Sequence, residues 1–284
     1  GVKIVEKHGF LECRADTLRG CEIHLDYPSV GATENAMLTA VMAQGTTKIR
    51  NAAKEPEIVD LQNFLNKMGA KIKGAGNSEI IIEGVEALDS VQHRIIPDRI
   101  VAGTLLVAAA ITKGEVIINN IIIEHIKPVI SKLREAGCLV SEGNKSLKLK
   151  APEKLSAVEI IKTLPYPGFP TDMQAQFMAL MTLSRGTSMI TETVFENRFK
   201  HVDELIKMGA NIRIDGRVAV VQGVNKLSGA KVCANDLRGG AALVLAGIAA
   251  EGTTIVENIK HIDRGYEELD KLLEKLGANV ERNN

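Results

Sequence analysis

The chain has no tryptophan, and tyrosine and phenylalanine supply only three and six rings among 284 residues. So few aromatic faces give little support to a sugar-stacking platform or a track for single-stranded nucleic acid. An excess of one charge sign is also lacking: 35 Lys and Arg are matched by 35 Asp and Glu. No general field draws nucleic acid or an anionic membrane, so any anion is caught locally. The longest apolar runs are broken by glycine before they reach the roughly 20 residues that a membrane span needs. The first residues do not read as a signal peptide, and a cytoplasmic protein is the expectation. Cys13, Cys21, Cys138 and Cys233 show no paired ligand spacing, which favours reduced thiols over disulfides or zinc. No metal or other cofactor is expected.

What the chain has in abundance is repetition. Glycine recurs at Gly45, Gly114, Gly186 and Gly252, at intervals of 69, 72 and 66 residues. A second set, Gly69, Gly137, Gly209 and Gly277, follows the first by 24, 23, 23 and 25 residues. Each interval reads as an apolar helix, a Gly turn into a strand, a second helix, then Gly and another strand. The first helices, as in 102–110 and 241–250, are small and apolar on every side, which predicts burial all round. The second helices are amphipathic, with Leu61, Phe64, Leu65 and Met68 at helical spacing. The strands, such as 80–82 and 218–221, are short and β-branched. A period near 70 matches a whole supersecondary layer, and three such layers close into a domain with sheets outside and helices at the centre.

One first helix precedes Pro97 and three follow it. The expected division is therefore residues 1–96 as the remnant of a first domain and 97–284 as a second domain of three units that lacks a closing strand. Gly1 to Val5 align with the sequences beginning at Gly69 and Gly209, so the 284 residues are expected to be a piece of a longer repeat protein.

Polar clusters stand where the units begin: Tyr27-Pro28-Ser29-Val30-Gly31, Pro97-Asp98-Arg99, Phe169-Pro170-Thr171-Asp172 and Asn235-Asp236-Leu237-Arg238. Ser29, Asp98, Thr171 and Asp236 read as N-caps. If the helix N-termini gather at one end, their free N–H groups make an anion site that Arg99 and Arg238 reinforce. Asp172 follows an already competent cap, which leaves its carboxylate available for chemistry. A second set precedes the second helices: Glu55-Pro56-Glu57, Phe195-Glu196-Asn197-Arg198 with His201, and the run from His261 to Glu267. Glu55, Glu57 and Glu267 read equally well as surface salt-bridge partners. Arg198, Arg238 and Arg264 suit bidentate contacts to phosphate and carboxylate.

At these residues the chain resembles a known family. "PTDMQAQF", "ITETVFENRFKHVDELIKMGA", "DLRGGAALVLAGIAAEGTT" and "HIDRGYEELDKLLEKLGA" look like the UDP-N-acetylglucosamine 1-carboxyvinyltransferases, as do "SVGATENAMLTAV" and "NAAKEPEIVDLQNFLNKMGAKI". The resemblance runs almost the whole length. It implies an α/β fold of inside-out α/β barrels built from enolpyruvyl transferase-like repeats, here with one domain nearly complete and one partial. The implied reaction moves the enolpyruvyl group of phosphoenolpyruvate to the 3′-hydroxyl of UDP-N-acetylglucosamine, the first committed step of peptidoglycan synthesis. No nucleic acid or membrane partner is implied.

By the same resemblance Asp172 is the catalytic base and a contact of the 3′-hydroxyl. Val194, with Phe195, offers main chain to the uridine-diphosphate sugar. Ser29, Val30 and Gly31 match part of the uridine diphosphate loop, where Tyr27 stands in place of a lysine found in some members. Arg198, Arg238 and Arg264 match the arginines tied to phosphoenolpyruvate and domain closure, with Arg264 counted among the catalytic residues. The family's Lys-Asn pair and its proton-donating cysteine lie before the point at which this chain begins, and none of the four cysteines here matches that motif. The missing N-terminal part of the enzyme is therefore an expected partner, and this chain alone is expected to be inactive. The alternative is a non-catalytic fragment with at most weak uridine-sugar binding.

Overall fold

The structure, a computed structural model, describes residues 1–283. Its contacts fall into two compact units, residues 1–96 with Pro165–Pro167, and residues 97–164 with those from Gly168 onward. Pro165–Pro167 join the first unit, in which the Tyr166 N–H donates to Glu55 at 3.2 Å.

The first unit opens with an antiparallel hairpin, β1 (Lys3–Lys7) and β2 (Phe10–Arg14). His8 and Gly9 turn it with φ of 44° and 88°, the positive-φ pair that suits a tight hairpin. Then come β3 (Glu22–His24), α1 (Val30–Ala40), β4 (Thr46–Arg50), α2 (Pro56–Lys67), β5 (Lys71–Lys73) and β6 (Glu79–Glu83). The sheet order is β3-β4-β6-β5, with β3 parallel to β4 and the other pairs antiparallel. Alternation along the strands buries Thr47, Ile49, Ile72, Ile80 and Ile82, and Met37, Ile58 and Leu65 of the helices complete that core. Burial of α1 on all sides does not hold. Only Thr33, Met37 and Ala40 are buried, and Leu38 is half exposed; α1 packs on α2, β4 and β6 of its own unit.

The second unit runs α3 (Arg99–Ile111), β7 (Glu115–Asn119), α4 (Lys127–Glu135), β8 (Leu139–Glu142), β9 (Ser146–Lys150), β10 (Ile160–Lys162), α5 (Gln174–Met181), β11 (Thr187–Thr191), α6 (Val202–Lys207), β12 (Asn211–Asp215), β13 (Val218–Gln222), β14 (Lys231–Cys233), α7 (Leu237–Ala249), β15 (Ile255–Glu257) and α8 (Leu269–Lys275). Here the all-round apolar helices find what their sequences require. Helices α3, α5 and α7 pack on one another, and every residue of α5 is buried. Sheets β7-β9-β8, β10-β11-β13-β12 and β14-β15 cover them. The order β10-β11-β13-β12 reproduces β3-β4-β6-β5 strand for strand, so the sequence repeat is a repeat of topology.

Glycine permits the closest approaches. A Cβ at Gly240 would stand 2.7 Å from Ile262 Cγ1 and 2.9 Å from Ala234 Cβ. The second set of repeated glycines terminates the second helices: Gly69, Gly137, Gly209 and Gly277 have φ of 94° to 103°, the left-handed conformation that closes a helix and favours glycine.

Candidate active site

Within the second unit the candidate groups collect where the chain passes from β10 into α5. Phe169 is buried edge-on against Phe177 of α5, ring centroids 5.0 Å apart, and this apolar contact anchors the segment ahead of Pro170. Thr171–Met173 then form a single 3-10 turn before α5. Thr171 is not the N-cap that its place in the sequence suggests. Pro170 holds the cap position of that turn, and the Thr171 hydroxyl is engaged by other side chains. The remaining three caps form. Ser29 accepts from Ala32 N–H at 3.3 Å, Asp98 from Ile100 and Val101 at 2.7 and 2.9 Å, and Asp236 from Arg238 and Gly239 at 3.0 and 2.8 Å.

Asp172 sits between two arginines. Its Oδ1 accepts from Arg198 Nη2 at 2.6 Å and its Oδ2 from Arg238 Nη2 at 2.9 Å. Burial pushes the Asp172 carboxyl up, but the charges of Arg238 and Arg198 and their hydrogen bonds outweigh it and hold the pKa below the ordinary 3.8. The group is thus a carboxylate at neutral pH. For Arg238, too, burial opposes the charged form and is outweighed, first by Asp172 and then by Tyr266, so its pKa is raised. Both guanidiniums lie by aromatic faces, Arg198 4.6 Å from the Phe195 ring centroid and Arg238 5.3 Å from that of Tyr266, within cation–π range. Arg238 Nε and Nη1 are buried and without a hydrogen-bond partner among the described residues.

Beneath this pair lie residues that the sequence reading did not single out. Glu192 is 1% exposed. Its Oε1 accepts from Thr163 Oγ1, Val194 N–H and Phe195 N–H at 2.9, 2.8 and 3.1 Å, and its Oε2 from Thr171 Oγ1 at 2.8 Å. A signal was available: the buried alternation of β11, Ser188 then Ile190, reaches Glu192 at the next step, so a charged residue falls where the pattern demands a buried one. Tyr266, also buried, brings its hydroxyl to Thr104 of α3 at 2.9 Å and Gln176 of α5 at 3.1 Å. It thereby ties down the loop that carries Arg264.

The structure therefore unites Asp172, Val194, Phe195, Arg198 and Arg238 in one network. Arg264 does not join it. It lies exposed in the turn after Ile259–His261, with no side-chain hydrogen bond or ion pair among the described residues. Ser29, Val30 and Gly31 belong to the first unit, at the start of α1. His201 is wholly buried, and neither ring nitrogen has a partner among the described residues. Burial first, and the Arg198 charge in the same direction, lower its pKa to about 4 against the pull of Asp236, so it is neutral. Among the described residues no group of three His, Cys, Asp or Glu is placed to hold a metal ion.

Residues 1–276 match the family described as EPSP synthase (3-phosphoshikimate 1-carboxyvinyltransferase). The chain is 57% identical over 282 residues to UDP-N-acetylglucosamine 1-carboxyvinyltransferase 2 of Caldanaerobacter subterraneus subsp. tengcongensis, covering 99% of this chain and 68% of that protein. It is 58% identical over 284 residues to UDP-N-acetylglucosamine 1-carboxyvinyltransferase 1 of Carboxydothermus hydrogenoformans, covering 100% of this chain and 67% of that protein. Among solved structures it is similar to the enolpyruvyl transferase NikO from Streptomyces tendae, with a TM-score of 0.88, 28% identity, and coverage of 99% of this chain and 69% of that one. EPSP synthase from Acinetobacter baumannii shares the fold at a TM-score of 0.76 and 18% identity, over 99% of this chain and 69% of that one.

Proposed function

The chain belongs to the EPSP synthase family and, within it, to the UDP-N-acetylglucosamine 1-carboxyvinyltransferases, and on that premise we propose that its Asp172 network serves enolpyruvyl transfer to the 3′-hydroxyl of UDP-N-acetylglucosamine. The observation that carries this reading is the carboxylate of Asp172 held between Arg198 and Arg238 beside the main chain of Val194 and Phe195. Val194 and Phe195 offer main chain to the uridine-diphosphate sugar. Asp172 takes the proton of the 3′-hydroxyl as its oxygen bonds to C2 of phosphoenolpyruvate. C3 gains a proton from an acid to give a tetrahedral intermediate, and phosphate then leaves C2 as C3 gives a proton back, which re-forms the C2–C3 double bond of the product. Arg198, Arg238 and Arg264 hold the phosphate and carboxylate charges through these steps.

A carboxylate bracketed by two cations is a weak base at rest. When an anionic substrate draws on the same guanidiniums, less positive charge bears on Asp172 and its basicity rises. Binding of phosphoenolpyruvate thus prepares the base for the acceptor.

The acid for C3 is assigned to no cysteine of this chain. Cys138 is buried and its thiol is pushed up to about 11 by that burial, while Cys13 lies on β2, Cys21 just ahead of β3 and Cys233 at the end of β14. On this reading residues 1–96 are part of one barrel domain and the later residues most of another. Turnover then needs the remaining third of the enzyme, and the product enters peptidoglycan synthesis in the cytoplasm. The test is phosphate release from phosphoenolpyruvate, driven by UDP-N-acetylglucosamine, with and without an added N-terminal third from a relative. Release that appears only on complementation supports the whole reading. A complex that assembles and stays silent contradicts it.

A further inference from the structure

Glu192 is the most completely buried carboxylate that the chemistry above leaves unused. Putting a carboxylate out of water is costly unless its oxygens are fully hydrogen-bonded, and here four donors meet it. Three converge on Oε1: the Thr163 hydroxyl and the main-chain N–H groups of Val194 and Phe195. The fourth is the Thr171 hydroxyl on Oε2. Thr163 extends the frame, since its Oγ1 also accepts the Thr193 N–H at 2.9 Å.

The direction of each bond is fixed by the groups themselves. A carboxylate only accepts and a guanidinium only donates. The single Thr171 proton must therefore point to Glu192, which leaves its lone pairs to Arg198 Nη1 at 2.6 Å. The other terminal nitrogen of the same guanidinium donates to Asp172 at 2.6 Å. One unbroken path runs from the Val194-Phe195 main chain through Glu192, Thr171 and Arg198 to Asp172.

We propose that Glu192 is a positioning residue of the transferase site: one oxygen sets the main chain of Val194 and Phe195, the other, through Thr171, sets the angle at which Arg198 grips Asp172. The sugar-binding segment and the reacting carboxylate are thereby held in mutual register by one buried group. The functional meaning rests on the reading under Proposed function; the physical coupling does not.

Two substitutions separate the halves of the claim. Glu192→Gln keeps an oxygen for the three donors at Oε1 but turns an NH2 toward Thr171, whose hydroxyl then loses its acceptor and is contested as an acceptor for Arg198. Glu192→Ala removes both supports. The experiment uses the 284-residue chain: amide exchange at Val194 and Phe195, the pH titration of the Asp172 side-chain carbon by NMR, and, with the N-terminal third added, calorimetric titration with UDP-N-acetylglucosamine. In Glu192→Ala we expect exchange at both amides to accelerate ~10-fold or more, the scale of one lost hydrogen bond. In Glu192→Gln we expect those rates within ~3-fold of the parent, with the Asp172 midpoint moved upward, since a loosened Arg198 stabilises the carboxylate less. An Asp172 midpoint unchanged in Glu192→Gln overturns the proposal, and so do unchanged Val194 and Phe195 amides in Glu192→Ala. Should Glu192→Ala fail to fold, the Gln variant decides alone. Failure of the chain, complemented with the N-terminal third, to bind the nucleotide sugar, with exchange and titration behaving as stated, removes the functional reading and leaves the positioning role standing.

Discussion

Asp172 and His201 lie in the same unit and are held in opposite charge states. Asp172 is kept ionised by Arg198 and Arg238, and His201 is kept neutral chiefly by burial. Replacing Asp172 by Ala is expected to lower turnover of the complemented enzyme by roughly 10²–10⁴, the range for a positioned proton-transfer group. Asp172→Asn keeps the shape and removes the basicity, so turnover near the parent level in that variant would reassign the residue to substrate contact. For His201 the folded pKa is depressed from 6.5 to about 4, so between those values the unfolded chain binds the extra proton. Stability is then fully present above pH 6.5 and falls on acidification toward pH 4, by up to about 1.4 kcal/mol per pH unit from this residue. Urea denaturation at a series of pH values, in the parent and in His201→Gln, should show that slope flattened in the variant; parallel slopes would contradict it. Asp172, Arg198 and Arg238 were legible in the sequence because each is charged and stands just ahead of a helix or in its first turn. Tyr266 was not, since its importance comes from hydrogen bonds to residues distant in sequence, Thr104 being 162 positions away, and Glu192 shows in the sequence only as a charge at a buried step of the β11 alternation.

Helices that look alike in sequence take different environments. The small apolar residues of α3 and α7, with Ala175 and Ala179 of α5, let three helices meet closely enough to bury almost every face, whereas α1 buries one stripe. The apolar run identifies the element; what covers it depends on neighbours that no local pattern encodes. The caps show the same limit, since Asp98 and Asp236 cap as read while a 3-10 turn diverts Thr171. At Gly240 the close approach is specific enough to test. A methyl group there meets Ile262 and Ala234 at under 3 Å, so Gly240→Ala should cost about 1–3 kcal/mol through overpacking. A urea midpoint shifted by that amount is expected, and an unchanged midpoint would show that the Ile262 loop yields freely. Because that loop also carries Arg264, any relaxation should appear in turnover as well.

Across the whole molecule the four glycine-marked units are visible in the sequence before any coordinate is known, and the recurring strand order follows them. The two units differ in the cores they build. The first keeps exposed apolar side chains, Ile4, Phe10 and Leu11 on its hairpin and Leu38 and Met42 at α1, a distribution that gives low local stability and invites association. Amide exchange in residues 1–96 is therefore expected to be faster than in α3, α5 and α7, and equal protection would count against this. The chemical identity of the acceptor rests on the site. The family description names 3-phosphoshikimate, while the Caldanaerobacter and Carboxydothermus relatives are named for UDP-N-acetylglucosamine. The most direct measurement is phosphate release from phosphoenolpyruvate by the complemented enzyme, offered each acceptor in turn. The account predicts release with UDP-N-acetylglucosamine, abolished or strongly reduced in Asp172→Asn, and none with 3-phosphoshikimate; release with 3-phosphoshikimate instead would contradict it.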